Sequence, residues 1–450
     1  MLNIAINKKL KKGLQQQWNR LVKSKNYFSP KNIDELKEIN LINNPSIKLN
    51  GKEYFFKEDI VSVLNEFVNK IYDIGNINKF VTYNTLYHKV IKTITEIGFN
   101  KKEKVNFDDI FRELINQIEQ DINKYEFFWR IEGIELIDHS TFNFNDSILF
   151  IFSQNKFDYI KKFLSKVNPS FDNIVETKVN NQFLNKVCIK TTSSANYNYA
   201  RKDSLKKANN IINILRFIFC FYYPEYISYN RFKINLVSDF SLENNDSIGI
   251  NINKKSVILN FNSKMSLKQN FKIHKDLIND FNKFYFLEEL ISVLNKPKNK
   301  KTPLEIAISN AIYWISEAQN TDKAHIAFIN FWTSIESLTY NTNNSEDEGS
   351  TQAIKKNTSI LLAHGGYGFY STNEYFDLKS RINRLYDKRS KIIHEGELEN
   401  LNSNDLAEIC EYSTRLTLEI LGLSILEIKT LNEIEENVKR IHNIYIENDK

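Results

Sequence analysis

Tyr375, Leu378, Ile382, Leu385, Arg389 and Ile392 follow one another at alternating steps of three and four residues. A strand changes face at every residue, so only an α-helix gathers these positions onto one stripe. Gly396 stands just past the stripe, where a helix closes on a residue with left-handed backbone. The chain must therefore form a helix here with one face on a core. Upstream, Thr302-Pro303-Leu304-Glu305 is a helix start, with Thr as N-cap, Pro at the first helical position and Glu three residues after the cap. That helix runs through Ala318, and a short polar break covers Gln319 to Asp322. A second helix then carries the apolar stripe Ala324, Ala327, Phe328, Phe331, Trp332, Ile335 and Leu338, with Glu336 near its aromatic face. Asn402-Ser403-Asn404 announces a further helix from about Asp405 through Leu426. The last third of the chain is predicted to be a bundle of helices, with the Tyr375 helix as an inner member.

Two side chains at the end of that helix carry chemistry. Arg389 has a rigid fork of donors suited to a phosphate, and five residues on, His394 has an imidazole that ionises near neutrality. Five residues rise about 7.5 Å along a helix and turn the second side chain roughly 140° from the first. One copy therefore does not show the pair on a single stripe, and either the long Arg bends back or a two-fold mate completes the site. A plainer reading stands beside this one. His394 then simply closes the helix, and Lys388, Arg389 and Lys391 form a solvated basic turn that complements the helix dipole.

Three stretches in fixed order carry a resemblance: Ala311-Ile-x-Trp-Ile-x-x-Ala318, Phe328-x-x-Phe-Trp-x-x-Ile-Glu-x-Leu338 and Leu385-Tyr-Asp-x-Arg-Ser-x-Ile-Ile-His-x-Gly396. Together they resemble the C-terminal domain of ApeA-like HEPN proteins (higher eukaryotes and prokaryotes nucleotide-binding), whose catalytic members are ribonucleases of bacterial anti-phage and toxin systems. The resemblance implies an all-α bundle that dimerises, with Arg389 and His394 as the catalytic pair in the Arg-x-x-x-x-His arrangement of a metal-independent ribonuclease. Ser390 matches the small polar residue the family places after the Arg, and Glu336 and Lys391 are supporting candidates. Position 396 is Gly, whereas the toxin branch paired with nucleotidyltransferases has Tyr two residues after the His, which argues against that branch.

The front of the chain has a different texture. Residues 1–123 read as helices between polar loops, Lys57 to Tyr72 and Phe107 to Asn123 being the clearest. From 124 to 265 the period shortens toward two, with strands at Phe127 to Ile137, Ser147 to Phe152, Phe183 to Lys190, Phe232 to Val237, Ile248 to Ile252 and Val257 to Phe261, and a helix from Ala200 to Phe221. Residues 266–295 read as a connecting helix, and 296–450 as the bundle. The predicted class is thus α+β: a helical N-terminal region, a central mixed α/β domain and a C-terminal all-α bundle.

Composition narrows function mainly by exclusion. With 12 Gly in all and no Gly-rich phosphate loop, no His-Glu-x-x-His and no Cys-x-x-Cys, nothing calls for a nucleotide, metal or other cofactor. Cys188, Cys220 and Cys410 are scattered, which suits core thiols rather than a disulfide framework. The most apolar run, Ile214 to Tyr223, is too short to span a bilayer, and the N-terminus lacks the apolar core of a signal peptide, so a soluble, cytoplasmic protein is expected. The net charge of +6 is modest; Lys8 to Lys12, Lys101 to Lys104 and Lys296 to Lys301 are local basic runs able to follow phosphates. The aromatic run Phe127-Phe128-Trp129 reads as core rather than as a stacking platform for bases. Taken with the Arg389/His394 pair, the resemblance implies an endoribonuclease that acts on RNA as a homodimer through the bundle. It leaves 2′,3′-cyclic phosphate and 5′-hydroxyl ends and serves phage defence by abortive infection, its N-terminal parts answering a phage-derived trigger. The alternative is a non-catalytic HEPN module that binds RNA or scaffolds a partner.

Overall fold

The computed structural model of the protein describes residues 7–23, 27–29, 45–49, 52–99, 107–137, 141–164, 172–228, 232–237, 247–254, 256–260, 270–340, 350–396 and 401–445. The chain divides into two compact units. One comprises Met1–Glu126, Thr192–Ser204 and Gly249–Val257; the other comprises Phe127–Thr191, Leu205–Ile248 and Ile258–Lys450.

The first unit holds α1 (Lys8–Leu21), the short strands β1 (Tyr27–Phe28), β2 (Ser46–Leu49) and β3 (Lys52–Phe56), and the helices α2 (Glu58–Tyr72), α3 (Tyr83–Thr93) and α4 (Phe107–Asp121). The strands form an antiparallel sheet in the order β1-β3-β2, a feature that the purely helical expectation for residues 1–123 did not include. The helix α2 shows why the remainder was legible. Ile60, Val63, Leu64, Phe67, Val68 and Ile71 recur at helical spacing and are all buried, while Glu58 and Asp59 complement the dipole in the first turn. They pack on Trp18 of α1 and Phe107 and Leu114 of α4 in one apolar core.

A seven-stranded sheet contains β4 (Asn123–Glu132), β6 (Phe142–Phe144), β7 (Ser147–Ile151), β8 (Val187–Ala195), β9 (Asn235–Leu236), β10 (Ser247–Asn251) and β11 (Ser256–Asn260). Its order is β11-β10-β4-β8-β7-β6, and β9 also pairs with β4. β5 (Ile134–Leu136) instead pairs in parallel with β12 (Phe271–Ile273). Phe127, Phe128 and Trp129 are consecutive and all buried, so β4 is covered on both faces there and its aromatics are core. Three helices accompany these strands: α5 (Gln154–Leu164), α6 (Asp172–Phe183) and α7 (Tyr197–Tyr222). The strand expected from Phe183 begins at Val187 instead, because α6 runs through Phe183 and the chain turns at Asn185, whose φ is 58°.

Gly133, between β4 and β5, has φ +83°, and a Cβ there would lie 2.0 Å from the Lys233 carbonyl oxygen. Both the backbone angle and the close approach require glycine. Gly133→Ala is expected to destabilise the protein by more than about 2 kcal/mol, checked by urea denaturation; a change under about 0.5 kcal/mol would show that the backbone relaxes freely there.

The stretch expected as one connecting helix holds β12 and two helices, α8 (Lys275–Tyr285) and α9 (Leu287–Asn295), over its described part. Phe286 breaks them apart with a left-handed φ of 53°. The bundle then follows as α10 (Pro303–Asn320), α11 (Ala324–Thr339), α12 (Ser350–His364), α13 (Tyr375–His394), α14 (Ser403–Ile425) and α15 (Leu431–Tyr445). The start of α10 is the one read from sequence: Thr302 Oγ1 accepts from the Glu305 amide at 3.1 Å and Glu305 Oε2 accepts from the Thr302 amide at 2.7 Å. α14 packs on α10, α11 and α12 and is buried through most of its length, so it is the central helix. α13 lies on α12 and α11, burying Tyr375, Leu378, Ile382, Leu385 and Ile392, the apolar members of the stripe.

Two buried cations tie the bundle to the sheet. Arg216 of α7 donates to the Ile234 carbonyl at 2.7 Å, to Ser316 Oγ of α10 at 2.9 Å and to Asn235 Oδ1. Burial pushes its guanidinium down to about 10, still cationic at neutrality. Lys233 sends its ammonium to the carbonyls of Gln319 at 2.7 Å and Thr321 at 2.5 Å, at the C-terminal end of α10 where helix carbonyls lack internal partners.

Candidate functional site

The end of α13 is positioned by its buried stripe. Because successive residues turn by about 100°, Arg389 lies on the stripe side while His394 stands roughly 140° round the axis. Arg389 reaches α11, where its Nη2 meets Glu336 Oε1 at 2.8 Å, both side chains about one-fifth exposed. Its guanidinium lies 5.5 Å from the centroid of the Tyr386 ring. That ring stands edge-on to Trp332 at 5.3 Å and takes the Lys355 ammonium of α12 over it at 4.8 Å. Lys355 also pairs with Asp387 at 3.4 Å. Arg389 Nε is buried and has no hydrogen-bond partner among the described residues. Burial raises the Glu336 carboxyl pKa, and the Arg389 charge partly offsets it.

His394 is the last residue of α13 and is exposed. The helix closes just after it, with Gly396 at φ +71° as the sequence suggested. No hydrogen bond, ion pair or ring contact joins His394 to Arg389 among the described residues. Of the five candidates, the structure brings Glu336 and Arg389 together; Ser390, next to Arg389 in sequence, is half-buried, and Lys391 is exposed. Of the local basic runs, Lys101 to Lys104 lie outside the described residues.

Sequence reasoning missed the partners of the other basic residues on α13. Arg384 pairs with Asp405 at 2.6 Å and with Glu408 at 2.5 Å, Lys388 pairs with Asp405 at 2.5 Å, and Arg381 reaches Glu408 at 3.4 Å. Lys388 is thus engaged with α14 rather than part of a solvated turn. The available clue was Asp405 itself, third after the Asn402 N-cap, which completes a capping box and is fully buried. Tyr386 and Lys355 had no comparable clue, since their meeting depends on how α12 and α13 pack.

The arrangement offers a half-buried guanidinium, held by a carboxylate and backed by an aromatic ring, and an exposed imidazole at the same helix end. Among the described residues no three His, Cys, Asp or Glu side chains converge as metal ligands, and no described helix is long and apolar enough to cross a membrane. All three cysteines are buried thiols outside any disulfide. Compared with protein-family models, curated proteins and solved structures, the chain has no match.

Proposed function

We propose that the bundle is a metal-independent endoribonuclease whose site contains Arg389 and His394, acting as a homodimer in phage defence. The observation that carries this reading is the placement of the two side chains at one end of α13, roughly 140° apart, with Arg389 inward and His394 outward. A two-fold mate with its α13 facing this one supplies the missing half of each pair. The RNA provides its own nucleophile: the 2′-hydroxyl attacks the adjacent phosphorus, the bond to the 5′-oxygen breaks, and a 2′,3′-cyclic phosphate and a 5′-hydroxyl result. Arg389 stabilises the charge on the phosphorane oxygens, and His394 moves the proton. Glu336 holds the guanidinium in place, and the parts of the chain before the bundle restrain it until a phage-derived trigger acts.

A second reading is favoured by the same ion pair. An Arg already engaged by Glu336 and Tyr386 suits a module that binds RNA or a partner without cutting. Incubating the full protein with mixed RNA in EDTA separates them. Cleavage giving cyclic phosphate ends, read by end-specific ligation and mass spectrometry, is the expected result; intact RNA that is nevertheless bound supports the second reading.

A further inference from the structure

Lys355 of α12 is 9 % exposed, a cation set into the bundle. A buried ammonium is costly unless acceptors satisfy its three donors. Lys233 meets that condition with two carbonyl oxygens, at 2.7 and 2.5 Å. Lys355 does not. Among the described residues its ammonium meets one oxygen, Asp387 Oδ1 at 3.4 Å, longer than the roughly 2.7–2.9 Å of a charge-assisted hydrogen bond. The Asp387 side chain is 70 % exposed, so water competes for it and the pair is weak. The other neighbour is the Tyr386 ring, whose face attracts the charge at 4.8 Å but offers no oxygen. Arg389 lies over the same ring at 5.5 Å, with Nη2 on Glu336 and a buried Nε that has no partner among the described residues. Two cations thus share one ring, and each has donor capacity left over. The ring itself is fixed edge-on against the fully buried Trp332 at 5.3 Å, so it is a firm support for both.

We propose that Lys355 is a phosphate-binding residue, which together with Arg389 grips the RNA backbone by exchanging the Asp387 carboxylate for a phosphate oxygen. This rests on the reading of the Arg389 end of α13 as an RNA site, and it holds whether or not the strand is cut. The exchange suits both partners. Asp387 is free to turn into water, and a backbone phosphate brings two unbridged oxygens to donors that now meet one distant oxygen. Arg389 beside the same ring adds a second positive charge to the attraction. In the free protein Asp387 shields Lys355, and it also repels an approaching backbone. The contact is to phosphate, so it adds affinity without selecting a base.

A mixed-sequence 2′-O-methyl oligoribonucleotide is a suitable probe, because its blocked 2′-oxygen cannot attack and the strand stays whole. Its binding to the full chain is followed by fluorescence anisotropy over a salt series. Lys355→Met is expected to bind about tenfold more weakly at about 50 mM salt, with the slope of log affinity against log salt shallower by about 0.7, the value for one phosphate contact on a single strand. Lys355→Arg, which keeps the charge, should keep the slope. Asp387→Asn should tighten binding a few-fold, while Asp377→Asn, an equally exposed acid near the start of the same helix, should change it less than twofold. A wild-type slope in folded Lys355→Met overturns the proposal, as does a loss shared by folded Lys355→Arg or a wild type that does not bind the probe. If Lys355→Met does not fold, the acid pair decides: tightening confined to Asp387→Asn sustains the contact, and equal effects of the two variants overturn it. Cleavage of ordinary RNA in EDTA is scored separately. Lys355-dependent binding without cleavage removes the nuclease and keeps the contact; cleavage with a wild-type slope in Lys355→Met removes only the contact.

Discussion

Arg389→Ala and His394→Ala are each expected to slow RNA cleavage by about 100-fold or more while leaving the protein folded. The reason lies in where the side chains sit. His394 is exposed and holds nothing in place, so its loss removes only chemistry. Removing Arg389 leaves Glu336 without its partner, but burial already raises that carboxyl and it can take up a proton rather than remain a stranded charge. The proposed composite site adds a sharper expectation. Mixing the two inactive proteins under conditions that exchange subunits gives dimers of which half are mixed, each with one intact Arg and His facing each other. About a quarter of wild-type activity should return. Activity within a few-fold of wild type in either folded single variant would remove that residue from the reaction and with it the paired mechanism; two dead variants with no recovery on mixing would place the pair within one copy.

The largest stability effect is expected at Asp405. Its side chain is fully buried, accepts from the Asn402 amide at 3.1 Å and carries both Arg384 and Lys388. Asp405→Ala removes a capping interaction worth about 1 kcal/mol. It also breaks an ion-pair cluster that, for a buried pair, costs about 3–5 kcal/mol. The cations are 47 % and 22 % exposed and regain water, so a total near 3 kcal/mol is expected. The pH dependence gives an independent check. Burial alone would raise the Asp405 carboxyl, but hydrogen bonds from Lys388, Asn402 and Arg384 outweigh it and the net shift is downward from 3.8. A depressed acid contributes stability above its unfolded value and loses it as pH falls through the folded one. The gap between wild type and Asp405→Ala in urea denaturation should therefore be full at pH 7 and shrink below pH 3.8. An equal gap at both pH values would assign the loss to packing.

How far the fold could be read depends on how local its causes are. The Thr302 and Asn402 starts, the stripe of α13 and its closing glycine are each fixed by residues within a turn or two, and all four stand where the sequence put them. The burial of Phe127, Phe128 and Trp129 follows from their composition, since three aromatics in a row suit a strand covered on both faces. What failed was set from farther away. Phe286 takes a left-handed backbone that an aromatic residue does not favour locally, and so one expected helix became two. At the candidate site, helical spacing alone puts Glu336 near an aromatic face, and the structure pairs it with Arg389. Lys355 was invisible, because a lone Lys in a helix reads as solvated until the ring it packs on is known.

Arg216 and Lys233 bear on how such a bundle can be inherited. They lie well before residue 296, yet their donors serve Ser316, Gln319 and Thr321 of the α10 end. A gene fragment that began at the bundle would encode Ser316 and Gln319 for an interior that no longer exists, and would leave helix carbonyls without the ammonium that meets them. Recombination that moved this bundle to another protein would have to carry residues 205–237 along, or mutate the α10 end to suit a new neighbour. The helices of the last third are thus completed by a helix and a strand that precede them, and their limits as a folding unit are wider than their limits as a pattern of helices.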